Sequence, residues 1–133
     1  MSLISIVVPV YHNAASLPDL LSEFQKLALR NEIDTFEFIF VDDGSQDNSF
    51  AVLYDLAVQD TRCRLIKLSR NFGSNAALLA GLGQCKGDAV AAIAADLQDP
   101  PEFIHDMLQL WRQGNKVVLA AHEERDEIGR AHV

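Results

Sequence analysis

The chain has 133 residues, of which 49% are hydrophobic, and a formal net charge of −8. That length suits one domain or part of a larger one, with enough apolar material for a core. The acidity, with no Lys/Arg cluster, argues against general nucleic-acid binding. No run reaches the ~20 apolar residues of a membrane-spanning helix.

Strand and helix patterns alternate along the chain. The β-branched run Ile4–Val10 predicts a first strand. Leu17, Leu20, Leu21, Phe24, Leu27 and Ala28 recur at helical spacing, with Ser16 placed to cap. Phe36–Val41 predicts a second strand. A second helix follows Asp47 and Asn48, with Phe50, Leu53, Leu56 and Ala57 on its buried face. Arg64–Leu68 predicts the third strand, Ser74–Cys85 a third helix closing near Gly87, and Ala89–Ala95 the fourth strand. Asp99 is placed as N-cap of a fourth helix, with Pro100 at its first position and Glu102 completing a capping box. Phe103, Ile104, Met107, Leu108 and Trp111 form that helix's core face, and Lys116–Ala121 predicts a fifth strand. The alternation implies an α/β fold: a mostly parallel sheet with helices on both faces.

In such sheets, ligands bind outside the carboxyl ends of the strands. Four strand ends here carry polar residues: Tyr11, His12 and Asn13; Asp42 and Asp43; Ser69, Arg70 and Asn71; Asp96, Gln98 and Asp99. Asp96 and Gln98 are hard oxygen donors two residues apart, suited to Mg²⁺ or Mn²⁺; alternatively, Asp96 caps a turn. Asp42 and Asp43 can accept from a base or ribose while one of them holds the loop, or they form an Asx turn with Gly44. Arg70 suits a phosphate or a surface salt bridge. Tyr11 suits base stacking or packing. His12 reads as a loop histidine, and the other histidines show no metal spacing. Cys63 and Cys85 form no CxxC pair and are expected as reduced thiols of a cytoplasmic protein. The opening residues lack the positive n-region of a signal peptide.

Taken together, "VVPVYHNAASLPDLL", "FEFIFVDDGSQDNS", "LSRNFGSNAALLAGL" and "GDAVAAIAADLQDPPEFI" resemble the donor-binding part of family-2 glycosyltransferases of the GT-A fold. The resemblance spans about Ile4 to Glu124 and is nearest to enzymes that load sugars onto polyprenyl or dolichyl phosphate. It implies a Rossmann-like sheet, truncated before the family's acceptor-binding half. It also implies an inverting transfer of a hexosyl group from a UDP- or GDP-linked sugar, with the acceptor a polyprenyl phosphate at the cytoplasmic face of a membrane. By the same resemblance, Pro9, Tyr11 and Asn13 line the nucleotide pocket, and Asp42 and Asp43 hold the base or ribose. Arg70 lies near the nucleotide and Asp88 starts the strand leading to the metal. Asp96 and Gln98 bind the divalent cation, with Asp96 the candidate catalytic residue. The chain departs from the family at two places. Ala94 stands where many relatives have the first acid of Asp-Ala-Asp, and His12-Asn13 stands where many read Asn-Glu.

Ala94 leaves room for a second reading, a nucleotide-binding module without catalysis. A receiver-type signalling domain fits less well, because the acid pair follows the second strand and Lys116 begins the fifth. A Rossmann dehydrogenase lacks its GxGxxG.

Residues 128–133, "IGRAHV", break the preceding pattern and are expected to form no element. They can be encoded by ATC GGA AGA GCA CAC GTC, which matches the start of a common sequencing adapter. The donor domain is therefore expected over residues 1–127, and the last six residues as a non-native read-through tail. Sequencing the source DNA past the Glu127 codon tests this: adapter sequence is expected, and a native reading frame continuing through "IGRAHV" would refute it.

Overall fold

The computed structural model describes residues 2–98, 100–114, 119–121 and 130–132. Four parallel strands form one sheet: β1 (Leu3–Val10), β2 (Thr35–Asp42), β3 (Cys63–Lys67) and β4 (Ala89–Ala92), in the order β3-β2-β1-β4. The connecting helices are α1 (Leu17–Arg30), α2 (Ser49–Gln59) and α3 (Ser74–Leu82), and α4 (Glu102–Arg112) follows β4.

The central strands β1 and β2 read as apolar runs because both their faces are covered, and the pleat divides their side chains between two cores, whereas edge strand β4 leaves Val90 exposed. Ile4, Ile6, Val8 and Val10 of β1, with Phe36, Phe38 and Phe40 of β2, face the larger core. Leu17, Leu20, Leu21, Phe24 and Leu27 of α1, Leu53 and Leu56 of α2, and Ile104 and Leu108 of α4 complete it. Phe24 is the hub, its ring 5.1 Å from Phe38 and 6.2 Å from Phe40. Each such side chain contributes about 1.5–3 kcal/mol by leaving water. Met107 and Trp111 pack against this core, as their spacing implies.

The opposite face holds Val7, Ile39, Val41 and Ala77 of α3. Here α3 lies close to the sheet, and a Cβ on Gly81 would collide with Val7. Next to it, at the amino-terminal half of the strands, sits a polar clamp. Glu37 accepts from Ser5 Oγ (2.5 Å), Arg64 (2.9 Å) and the Lys86 amide (2.8 Å), and Gly87 N–H donates to Ser5 Oγ at 2.9 Å. Burial pushes the Glu37 carboxyl up, but these donors together outweigh it and hold it below the ordinary value. Burial also pushes the Cys63 thiol up to about 12, which leaves it unreactive.

Several boundaries differ from the sequence expectations. Ser16 precedes α1 but makes no side-chain cap. Its hydroxyl lies instead against the carbonyls of Asn13 (3.1 Å) and Ala95 (2.6 Å). The third helix stops at Leu82, because Gln84 and Cys85 turn back onto the carbonyls of Gly81 and Leu82 to enter β4. The fourth strand stops at Ala92, with one further ladder bond from Ile93 N–H to Val7 O, before the chain bends into the Ala95–Asp96 turn. At α4 the N-cap is Pro101 and Glu102 is the first helical residue, where its carboxylate accepts from Arg30 at 2.8 Å. Asp99 lies outside the described residues.

The fifth strand is described over Leu119–Ala121, and residues 116–118 lie outside the described set. It does not extend the parallel sheet. It pairs antiparallel with β6 (Arg130–His132), so the tail expected to be without structure contributes a strand. The pairing runs through backbone groups, which an alternating hydrophobic pattern is not needed to supply.

Asp60 makes the stability of the fold depend on acidity. Arg62 donates to it at 2.9 and 2.8 Å, and Gln25 at 3.2 Å. The Arg62 bonds, opposed by burial and helped by Gln25, hold the carboxyl at about 2 instead of the usual 3.8. A depressed native pKa stabilises fully above the unfolded value and is lost as pH falls through the folded one. Arg62 is partly exposed, so we expect a loss on the order of 1–2 kcal/mol between about pH 4 and pH 2. Urea unfolding of the wild type and Asp60→Asn checks this: the wild type's advantage at about pH 5 should vanish near pH 2, and a constant difference would refute it.

Candidate functional site

The sheet changes direction at β1, with β2 on one side and β4 on the other. Loops leaving the carboxyl ends of β1 and β4 therefore diverge, and a crevice opens between them. A pocket of about 180 Å³ lies there, lined by Pro9, Val10, Tyr11, Asn13, Asp43, Ser74, Ala94, Ala95 and Asp96. Sites that enclose a small molecule usually span about 300–1,000 Å³. This one is an open half-site, able to grip one part of a ligand.

Each wall has a local cause. β1 delivers Pro9 and Val10, and the next loop is folded by its own side chains: Tyr11 N–H donates to Asn13 Oδ1 at 2.8 Å. Asn13 N–H donates to Ser49 Oγ at 3.0 Å, joining that loop to the start of α2. Tyr11 is 42% exposed, so it is a surface ring beside the pocket and not a core residue.

β2 delivers the two acids, and the structure separates their duties. Asp43 accepts the amides of Phe72 (2.8 Å) and Gly73 (3.0 Å), which fixes the loop between β3 and α3. Gly44 (φ +73°) lets the two loops touch at backbone level, since a Cβ there would fall on Arg70 and Asn71. Asp42 is fully buried, and neither carboxylate oxygen has a hydrogen-bond partner among the described residues. It lies beside the pocket in sequence but does not line it.

β4 delivers the tip that carries Asp96. Leu97 takes a left-handed backbone (φ 64°), and Gln98 N–H donates to Asp96 Oδ1 at 3.1 Å. Asp96 and Gln98 are both exposed, and Asp96 lines the pocket. Such a tip fits a hard divalent cation that takes one or two protein oxygens and completes its shell with water and phosphate. Among the described residues no group of three His, Cys, Asp or Glu could hold a metal unaided.

Of the residues singled out from the sequence, Pro9, Tyr11, Asn13, Asp43 and Asp96 come together around the pocket. Gln98 is not among the pocket walls and is tied to Asp96 by its backbone N–H. Arg70 is exposed and lies over the Phe72 ring at 4.7 Å; it is not a wall of this pocket and makes no salt bridge among the described residues. Asp88 is at the far end of β4, where it accepts from Leu3 N–H at 2.9 Å, so it belongs to the sheet's other rim. Ser74 and Ser16 were not singled out for the site. Ser74 opens α3 directly after a glycine, a signal available in the sequence; Ser16's hold on Ala95 spans 79 positions and leaves none.

Residues 5–131 match the family described as "Glycosyl transferase family 2". The chain belongs to this family, and its fold is that of the GT-A glycosyltransferases. It is 38% identical over 121 residues to the uncharacterized glycosyltransferase YkcC of Bacillus subtilis, which covers 91% of this chain and 37% of that protein. It is 41% identical over 125 residues to the undecaprenyl-phosphate 4-deoxy-4-formamido-L-arabinose transferase of Pseudomonas fluorescens, covering 93% of this chain and 36% of that protein. The chain thus spans little more than a third of the length of these relatives. Among solved structures, the mannosyltransferase PcManGT of Pyrobaculum calidifontis, in complex with GDP-Man and Mn²⁺, superposes with a TM-score of 0.77 at 18% identity, covering 94% of this chain and 37% of that one. S. aureus TarS 1-349 in complex with UDP-GlcNAc superposes at 0.70 with 23% identity, covering 88% and 33%.

If Asp43 is what holds the loop after β3, Asp43→Ala should free the Phe72 and Gly73 amides. Two hydrogen bonds to one buried charge are worth about 1.5–3 kcal/mol each at most. Hydrogen exchange at those two amides should then quicken at least tenfold, with Val7 and Phe38 amides still protected. Unchanged exchange would show that the loop is held by other contacts.

Proposed function

We propose that this chain is the donor-binding part of an inverting glycosyltransferase that uses a nucleoside-diphosphate sugar. The observation that carries the reading is the pocket at the β1/β4 switch, where Tyr11, Asn13, Asp43 and Asp96 converge in a family-2 chain. Tyr11 offers a ring face for the base. Asn13 and Asp43 offer acceptors to the base or ribose; a carboxylate has about four lone-pair sites, so Asp43 can serve the loop and a ligand together. Asp96, at the lip, faces the diphosphate, and Asp96 with Gln98 would hold the divalent cation, Mg²⁺ or Mn²⁺. Bound there, that ion would neutralise charge on the departing nucleoside diphosphate. Ala94, in place of an acid, leaves those two as the protein's ligands.

In the reaction, an acceptor oxygen attacks the anomeric carbon from the face opposite the diphosphate. The sugar–phosphate bond breaks and the configuration inverts. For the acceptor we propose polyprenyl phosphate, supported by the 41% identity to an undecaprenyl-phosphate sugar transferase. A phosphate is already an anionic nucleophile and needs little help from a base. The work would take place at the cytoplasmic face of the membrane, in synthesis of envelope glycans. No helix among the described residues is long and apolar enough to cross a membrane. Transfer of radiolabel from the sugar nucleotide into an organic-extractable product, by a protein including this segment, tests the acceptor; label found solely in water-soluble glycan would refute it.

The donor site is tested on the chain itself by thermal-shift titration with UDP, GDP and their sugar conjugates, with and without Mn²⁺. A ligand at a hundred times its Kd adds roughly 2.7 kcal/mol of apparent stability. A Mn²⁺-dependent shift for one nucleotide, absent in Asp96→Ala, is expected. A folded sample that responds to no nucleotide would overturn the proposal.

A further inference from the structure

The donor reading leaves His12 without a task, yet the structure builds a specific environment around it. Its backbone is left-handed (φ 55°), an uncommon state for a residue with a side chain. Its own N–H donates to Ser45 Oγ at 3.0 Å. The Gln46 N–H donates to its Nε2 at 3.0 Å. Its ring stacks on Tyr11 with centroids 3.9 Å apart and planes 22° from parallel. Two bonds thus tie the loop after β1 to the loop after β2, and the same side chain backs the Tyr11 ring at the pocket wall.

An Nε2 that accepts a hydrogen bond carries no proton, so the imidazole is neutral with its hydrogen on Nδ1. We propose that His12 is the positioning residue of the nucleotide pocket: a neutral imidazole that ties the two loops and sets the Tyr11 ring, and that releases both when it is protonated. Protonation places an Nε2–H against the Gln46 N–H, donor against donor. The nearby charge on the β2–α2 loop is Asp47, whose carboxyl is held below its ordinary value first by the Ser49 hydroxyl. A cationic ring is drawn towards that carboxylate and away from Gln46. From its own loop His12 faces the Tyr11 phenol, and across the pocket that Tyr11 lines stand Asp43 and Asp96. The signs agree: acidification removes the acceptor and offers the ring another partner.

This inference rests on the donor-site reading, so its test has two parts. The first uses the free protein. Nitrogen-15 NMR should show His12 as the Nδ1–H tautomer near neutral pH, and on acidification the Gln46 amide and Tyr11 ring signals should move with the imidazole. In His12→Asn, which tolerates the left-handed backbone and offers an oxygen that does not titrate, both signals should stay flat. A proton on Nε2 near neutral pH, or Gln46 and Tyr11 signals indifferent to the imidazole, would overturn the proposal. The second part measures UDP and GDP affinity in the presence of Mn²⁺ at about pH 8 and about pH 5.5. The wild type should bind roughly threefold to tenfold more weakly in acid, the worth of one neutral hydrogen bond. His12→Asn should bind equally at both. Tighter wild-type binding in acid would make the imidazolium a phosphate ligand and overturn the positioning role. A tie that titrates as expected in a protein that binds neither nucleotide would uphold the loop link and overturn the donor reading instead.

Discussion

The carboxylate of Asp43 is the interaction on which the rim of this molecule depends. It sits at the end of β2, nearly buried, and spends its two oxygens on two consecutive amides of a loop from another part of the chain. An anion taken out of water must find such donors or cost several kcal/mol. Once it has them, the loop after β3 cannot drift. That loop fixes where α3 begins, and α3 brings Ser74 to the pocket. Gly44, next in sequence, lets the two loops meet backbone to backbone. One charged side chain thereby turns separate strand ends into a common surface.

The sheet beneath supports this by dividing its labour between faces. The larger core, with the Phe24–Phe38–Phe40 cluster, anchors three helices on one side. On the other, Ala77 and Gly81 allow α3 to lie directly on Val7 and Val41. The polar clamp of Ser5, Glu37 and Arg64 occupies the amino-terminal half of the strands, well away from the pocket. The polar clamp and the pocket lie at opposite ends of the same strands. The two residues other than glycine with a left-handed backbone among those described, His12 and Leu97, both belong to the pocket end of the strands. Backbone strain of this kind persists only where surrounding contacts over-determine it. Around His12 those contacts are Ser45, Gln46 and Tyr11; around Leu97, the Asp96–Gln98 turn.

The family membership and the geometry bear on each other. The superpositions at 18% and 23% identity establish the fold, and the higher sequence identities establish kinship. Neither kind of likeness assigns a role to a particular side chain. The placement does part of that work, because it sets Asp96 at a pocket and Asp88 at the opposite rim although eight positions separate them on one strand and its tip.

What the sequence by itself determined was the set of elements and the side of the sheet where polar residues gather. The strands are apolar runs and α1 is a clean 3.6-residue stripe, so periodicity reports them without help. The strand ends follow from the same pattern, and with them Tyr11, Asn13, Asp43 and Asp96, while Pro9 follows only from the family resemblance. The tertiary structure alone decided everything that depends on a distant partner. Nothing in "FVDDGS" tells which of the two buried acids accepts the loop amides, since the choice lies with amides near Phe72. Nothing in "FEFIFV" explains Glu37, whose donors come from Ser5, Arg64 and Lys86. Ser16 fits the pattern of a helix cap, and its hydroxyl goes to Ala95 because the folded chain brings that carbonyl closer. The pairing of the last strand with Leu119–Ala121 is likewise a matter of backbone meeting backbone, which no side-chain pattern encodes. Local sequence sets propensity and period; long-range hydrogen bonds, paid for by burial elsewhere, settle which of several satisfiable partners each polar group takes.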